Sequence, residues 1–584
     1  MSFFNVPRNF FRDSSSFVPQ SMIDTLFNYG KFLQDVDAAD GIAPSVPGSP
    51  KTVAIIGAGI SGLICAYELS RIKNINVKVY EMNEQSSSVA GRMYSIHNPD
   101  SGYNDKIFEM GCMRFPPTSY SLFHYLNKFN IQTTPNFPDP GKVPTTIYYE
   151  NLAYTWEPKD PPPGPFAQIA SDFSTILKNL IGDPSLLNTE NPRLIDYWSI
   201  YQSDPSTTNL TKLTDSWQSL ITAYKDVTFY EAIFLLSQQL PSPWKQEDMN
   251  AFGALGVGSG GFGPLYEVNF LEILRIMVNG WENSQEFVVS GISSLANNII
   301  INLPSNVSIK YSTQITEITK TSAAGVTYYQ LTSNNALQGL TFDAVIVATT
   351  TPAMEYMGLT MPNQILGKSF PSLLSSDVQV AVRNLHLMSS SKLFILTKTK
   401  FWYLTDNLPY NIQTDEALRG LYCLDYDPVN SGQLNTEGYG VVLVSYVWGD
   451  DSTRLQALTA NQRYNIFLER LKIIDNNFAT QLENNVMSLS TMEFIDWQST
   501  AGIYGAFKLN YPGQEQANSC AFFQYQQKEQ GLFIAGDSVS YAGGWMEGAI
   551  TTALNAACGV ARYLNGDVIS GSPLEIVSTT YNYS

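Results

Sequence analysis

Gly57, Gly59 and Gly62 stand at the spacing G-x-G-x-x-G, and an acid, Glu81, closes the next apolar run of the chain. That pattern suits one kind of chemistry, the holding of a dinucleotide. The first glycine permits a tight turn, the second lets the backbone approach a pyrophosphate, and the third lets a helix pack closely on a sheet. Amides at the start of that helix, Ser61 among them, face the phosphates, where the helix dipole favours negative charge. Glu81 is placed to accept hydrogen bonds from an adenosine ribose. The elements that must position these residues lie beside them. Val53 to Ile56 is a short buried-strand run, and Val77 to Tyr80 is a second strand. A lone G-x-G-x-x-G is weak; the flanking strands and the acid separate it from a glycine-rich turn that merely packs.

Other chemistries find little support. Only three histidines occur, His97, His124 and His386, and none has a histidine partner at metal spacing. Five cysteines, Cys65, Cys112, Cys423, Cys520 and Cys558, are few, odd in number and widely spaced. They form no zinc pattern and fit a reduced, cytoplasmic protein. The balance of 34 basic against 52 acidic residues, a net charge of −18, disfavours nucleic acid and anionic membranes as partners. No run reaches the roughly 18 apolar residues of a membrane helix, and the first residues have no signal-peptide pattern.

At 584 residues, 44% of them hydrophobic and 15% charged, the chain is too long for one core. A prior of ~150 residues per domain suggests two to four. Residues 1–50 read as a leader, helical over Ser21 to Val36, with a Pro/Gly/Ser linker after it. Helical patterns recur around 166–182, 212–239 and 265–282, and Pro158 to Pro165 is too proline-dense for a regular element. Residues 307–350 alternate as strands and end in the buried run Phe342 to Val347. Residues 376–448 are largely strand-like, including Val378 to Val382, and 460–483 reads as one amphipathic helix. Leu532 to Ile534 returns to strand, and a long helix runs from about Met546 to Leu564. Strand-turn-helix units at both ends predict an α/β fold: a discontinuous Rossmann-like dinucleotide domain (51–116, 285–350 and 501–565) with an inserted mixed α+β domain (117–284 and 351–500) and a tail at 566–584. Two tandem domains would leave short sheets with uncovered edges.

Several blocks together resemble the flavin amine oxidases, in the branch of bacterial L-amino-acid oxidases and 2-monooxygenases acting on tryptophan, phenylalanine or lysine. They are VAIIGAGISGL at 53–63, AGRM at 90–93, MRFPP at 113–117, GVGSGGFGPLYE at 256–267 and SSKLFILTKTKFW at 390–402. TDEALRGLYCLDYD at 414–427, VSYVWGDD at 444–451, YGAFKLNYPGQE at 504–515 and GLFIAGDSVSYAGGWMEGAITTALNAA at 531–557 complete the set. The resemblance is greatest to the tryptophan 2-monooxygenases, through SGGFGP and the 504–515 stretch.

The resemblance implies FAD in an extended form, with an L-amino acid and O2 as small-molecule partners. Glu81 would hold the ribose. Gly91 and Arg92 would lie near the pyrophosphate or the flavin, Asp537 would accept from the ribityl chain, and Gly544, Trp545 and Met546 would pass the flavin ring, with Met113 close by. Arg114 resembles the arginine that grips the substrate carboxylate, a task suited to a planar guanidinium with two parallel donors. The alternative is a structural arginine paired with a nearby acid such as Glu109. Lys392 resembles the lysine that holds a water against the flavin nitrogen and assists the reaction with oxygen. Trp545, Trp402, Tyr422, Tyr504 and Trp497 are candidates for the pocket wall. Gly258 to Gly261 is expected to form a wall or hinge. Cys112 stands where the family often has a small residue, which puts inherited specificity in doubt.

No general base stands out. The chemistry needs a neutral amine, and water can take the proton that an ammonium must lose. Oxidation of an amino acid would end in the amide and CO2 from a 2-monooxygenase, or in keto acid, ammonia and H2O2 from an oxidase; a polyamine or monoamine oxidase is the runner-up. A lysine substrate would need an acid, for which Asp248, Glu267 and Glu272 lie in plausible segments. A homodimer is expected only because symmetric pairs are the commonest oligomers.

Overall fold

The computed structural model describes residues 21–98, 103–183, 185–255, 261–282, 285–323, 326–334, 340–361, 363–365, 368–370, 372–427, 435–576 and 581–584. Strand β1 (Lys51–Ile56), helix α1 (Ile60–Ser70) and strand β2 (Ile75–Tyr80) follow one another as the glycine pattern requires. They join β3 (Val307–Lys310), β4 (Ala344–Val347) and β5 (Leu532–Ile534) in a five-stranded sheet of order β3-β2-β1-β4-β5. Every pairing in it is parallel. All of β4 and β5 and the last four residues of β1 are buried, as expected of a parallel sheet covered on both faces. Helix α2 (Met546–Tyr563) is buried on all sides from Met546 to Ala561. Ser61 and Cys65 of α1 donate to the carbonyls of Ala549 and Ala553, locking the two helices together.

A second sheet has seven strands in the order Glu493–Asp496, Ser390–Thr397, Gly440–Trp448, Gly420–Leu424, Asn411–Thr414, Thr145–Tyr149 and Leu152–Trp156. Only the pairing of Asn411–Thr414 with Thr145–Tyr149 is parallel. Among the described residues, six α-helices between Phe166 and Val278 form a helical layer. Among the described residues no helix is long and apolar enough to cross a membrane.

Four readings of local structure need correction. Val378 to Val382 is helical, within Ser376–Asn384. Its buried residues Val378, Ala381 and Val382 follow helical spacing, which outweighs the strand preference of its valines. Residues 460–483 are two helices, Ala460–Ile474 and Asn476–Asn485, because Asp475 turns outward and caps the second by accepting from the Phe478 amide. The pattern over 212–239 is likewise broken, where Thr228 and Glu231 form a capping box. The leader helix begins only at Tyr29, capped by Asn28.

The leader is not loosely attached. Asp24, 2% exposed, pairs with Arg275 at 3.0 Å and accepts from Trp217 Nε1 and Tyr583 Oη. Arg275 also holds Glu515 at 2.5 Å and Glu272 at 3.4 Å, and Glu272 pairs with Lys508 at 2.7 Å. Leader, tail, helical layer and the 504–515 segment therefore meet in one buried charge network.

Candidate active site

The glycine turn is bare backbone because nothing else fits. Gly57 has φ +99, and a Cβ there would lie 2.7 Å from the Ala348 carbonyl at the end of β4. A Cβ on Gly62 would fall 1.9 Å from the Gly57 carbonyl. Gly91, with φ +59, brings its own backbone against Gly59, where a Cβ would lie 3.1 Å from the Gly59 Cα. Glu81 ends β2 beside this turn; one carboxylate oxygen accepts from the Ala58 amide at 2.8 Å and the other from Asn83.

From here one cavity of about 2200 Å³, open solvent included, reaches the second sheet. Gly57, Gly59, Ser61, Glu81, Gly91, Arg92, Met113, Arg114, Lys392, Tyr504, Asp537, Gly544, Trp545 and Met546 all line it. Gly62 lies in the turn behind the lining. At the sheet end the wall also includes Leu265, Ile273, Ile276, Tyr446, Trp448 and Phe507.

Asp537 gathers three partners. It accepts from the Gly544 amide at 2.9 Å, the Lys508 amide at 3.1 Å and Arg92 Nη1 at 2.9 Å. Arg92 also donates to the Ala506 carbonyl at 2.7 Å. Residues far apart in the chain are thus fixed around the mid-cavity, with Gly544 (φ +83) turning the backbone into α2.

Lys392 is buried on the strand Ser390–Thr397, which is paired on both sides, so it is not a surface lysine on an edge strand. Its Nζ donates to the carbonyls of Glu109 at 2.9 Å and Gly111 at 2.6 Å. The ring of its cross-strand neighbour Tyr446 lies 4.8 Å from Nζ. Burial pushes the ammonium down to about 7, against the opposing pull of Glu109. Burial likewise pushes the Glu109 carboxyl up to about 8 and the Cys112 thiol up to about 11.

Arg114 makes a two-pronged ion pair with Glu282, Nη1 to Oε2 at 2.6 Å and Nη2 to Oε1 at 3.0 Å. Glu109, the acid proposed from sequence as its structural partner, instead accepts from Ser95 Oγ and the Ile292 amide. The Arg114 guanidinium also lies 5.4 Å from the Trp545 ring and 5.6 Å from the Phe137 ring. Burial opposes its charge, but Glu282 more than compensates and its pKa is raised; burial also raises that of Glu282, with Arg114 pulling the other way.

Of the expected wall residues, Trp402 and Tyr422 lie outside the cavity lining, whereas Tyr504 and Trp497 are part of it. Trp402 is buried in the core beneath the second sheet, with Leu393, Phe401 and Val442, because it sits in the short helix Phe401–Leu404 beyond the end of the strand Ser390–Thr397 and not on the strand itself. Tyr422 sits one layer back, its ring 5.6 Å from that of Phe137 and its hydroxyl accepting from Gln413. Tyr504 reaches the cavity, but on the segment where Gly502 abuts Met82, and its ring packs on Tyr356. That places it toward the Glu81 end of the cavity. Trp497 lines the cavity and donates to the Met110 carbonyl. Asp248 caps a helix at the Lys245 amide, Glu272 is consumed by Lys508 and Arg275, and Glu267 is not in the cavity lining. Gly258 to Gly260 lie outside the described residues.

Sequence reasoning missed Glu282, Tyr446 and Trp448. The two aromatics were findable, since alternation along VSYVWGDD puts them on one face of a strand. Glu282 carries no such signal. Among the described residues no group of three or more His, Cys, Asp or Glu could hold a metal.

The pattern of the flavin containing amine oxidoreductases matches residues 60–561. The tryptophan 2-monooxygenase of Pseudomonas savastanoi is 36% identical, over 96% of this chain and 98% of its own. That of Pantoea agglomerans pv. gypsophilae is 35% identical with the same coverage. A putrescine oxidase structure superposes with a TM-score of 0.60 at 13% identity, over 88% of this chain and all of its own, and so shares the fold. The chain belongs to the flavin amine oxidoreductases and is an FAD-dependent oxidoreductase.

Proposed function

We propose that the enzyme oxidises an L-amino acid with a large apolar side chain, tryptophan before others, and releases the amide, CO2 and water: RCH(NH2)COOH + O2 → RCONH2 + CO2 + H2O. One observation carries this reading. A guanidinium, Arg114, and a buried amine, Lys392, converge on a single cavity whose walls also include the apolar side chains of Met113, Phe115, Ile273, Ile276, Trp448 and Trp545. The relatives' activity on tryptophan supports it.

The residues fit FAD. The bare turn at Gly57, Gly59, Gly62 and Gly91 suits a pyrophosphate at the start of α1, Ser61 included, and Glu81 suits the adenosine ribose. Arg92 and Asp537 would hold the linker between the two halves, and Gly544, Trp545 and Met546 would border the ring. When bound, the flavin accepts the hydride and delivers electrons to O2. The segments carrying β1 to β5 would form the cofactor domain, and the seven-stranded sheet with the helical layer the substrate domain.

The chain's own work is orientation, charge and dryness. Arg114 would take the substrate carboxylate through two parallel bonds, with Trp545 and Phe137 fixing the plane of the guanidinium. The apolar walls exclude water around the α-carbon. Lys392 spends two donors on backbone carbonyls, leaving its third N–H to hold a water in the cavity and to place positive charge where negative charge develops on oxygen. Water takes the proton from the ammonium before oxidation. A reducing compartment, the cytoplasm, suits the five free cysteines.

The test is product analysis after aerobic turnover of L-tryptophan. Indole-3-acetamide supports the monooxygenase; indolepyruvate with H2O2 would make the enzyme an oxidase. A second reading, an amine oxidase, draws on the existing Arg114–Glu282 pair, since a guanidinium already matched has no need of a substrate carboxylate. Turnover of tryptamine unaffected by Arg114→Ala would establish it.

A further inference from the structure

Glu282 has no role in the scheme above, yet both of its oxygens occupy the positions on Arg114 that a bound carboxylate would take. Both side chains line the cavity and are almost withdrawn from solvent, 11% and 10% exposed. Separating such a pair without replacement strands two buried charges, each a cost of several kcal/mol. An α-amino acid carries its own pair of opposite charges at neighbouring positions. Resting on the reading of Arg114 as the carboxylate site, we propose that Arg114 and Glu282 form one receptor for a zwitterion. The α-carboxylate takes the place of Glu282 on the guanidinium, and the α-ammonium takes the place of the guanidinium on Glu282.

Every charge keeps a partner through this exchange. A plain carboxylic acid would leave Glu282 stranded, and a plain amine would leave Arg114 stranded. Glu282 is therefore a specificity-determining residue that sorts α-amino acids from both. The rings of Trp545 and Phe137 remain against Arg114 whichever anion it holds, so the guanidinium keeps its place while its partner changes. Lys392, the other cavity-lining cation near the pair, directs two of its donors to the Glu109 and Gly111 carbonyls, while Asp139 and Lys142, which also act on the pair, are matched to each other.

The experiment compares affinities in the FAD-loaded protein. Calorimetry gives Kd for indole-3-propionate, which has only the carboxylate, and for tryptamine, which has only the ammonium. The concentration dependence of anaerobic flavin bleaching gives Kd for L-tryptophan. In Glu282→Gln, indole-3-propionate should bind at least about tenfold tighter, while L-tryptophan and tryptamine bind more weakly. If L-tryptophan and indole-3-propionate tighten by the same factor, Glu282 is a mere competitor and the proposal fails. If no affinity moves, Glu282 is structural and the proposal also fails. Should Glu282→Gln not retain FAD, Glu282→Asp keeps the charge and must preserve the wild-type order of the three affinities; loss of that order overturns the proposal. Arg114→Ala separates the underlying reading: if it leaves the affinities for indole-3-propionate and L-tryptophan unchanged, it is the arginine that has been misread.

Discussion

The guanidinium of Arg114 lies 5.4 Å from the ring of Trp545, the residue that caps α2. This contact joins the segment after the glycine turn to the last cofactor-binding segment. On the proposed reading, it would set the charged end of the substrate pocket against the flavin ring.

Arg114→Ala should lower kcat/KM for L-tryptophan by about 10³-fold, ~4 kcal/mol of transition-state stabilisation. Arg114→Lys should recover little, since an ammonium cannot offer two parallel donors. Steady-state kinetics on both variants, with bound FAD measured by absorbance, check this.

Gly62→Ala should abolish FAD retention. Its Cβ would fall 1.9 Å from the Gly57 carbonyl, so the turn or helix α1 must move. The purified variant should be colourless, with a lower melting temperature that added FAD does not raise.

Lys392→Met should slow return of the flavin colour on admitting oxygen by about 10²–10³-fold, with anaerobic bleaching far less affected. The sign of the pH effect follows from the amine being held down to about 7. It is charged below that value and neutral above, so the wild-type oxygen step should slow as pH rises through 7. Glu109, ionising near 8, pulls the other way by favouring the charged amine, and Arg114 opposes it. The methionine variant should lose this dependence in stopped-flow reoxidation.

Asp24→Ala should destabilise the fold by roughly 3–5 kcal/mol, because it removes one partner of a buried charge. Arg275, fully buried, would keep Glu515 and Glu272 but lose its bond to the leader. Chemical denaturation would register this, and the variant's Kd for substrate should stay near the wild-type value.

The parallel sheet was legible in the sequence because each of its parts carries a local signal. The runs of β1, β4 and β5 are apolar on both faces while β2 and β3 alternate, the turn needs glycine, and Glu81 follows directly from the motif. Breaks inside helical stretches were harder: Asp475 ends one helix and caps the next, and Thr228 caps a helix only a few residues after the previous one ends at Tyr224, so apolar spacing resumes with hardly a gap. The partner of Arg114 was out of reach. Glu282 and Arg114 are distant in the chain and meet only through tertiary packing. Trp402 and Tyr422 failed for a related reason: an aromatic in a strand-rich block has a core face as well as a cavity face, and the sequence alone does not say which face it occupies.

The central claim is that a carboxylate is gripped next to the flavin, and anaerobic mixing tests it most directly. L-tryptophan should bleach the flavin band of the wild-type protein rapidly and in full, while tryptamine at the same concentration should leave it intact. Rapid bleaching by tryptamine, with L-tryptophan inert, would contradict the account.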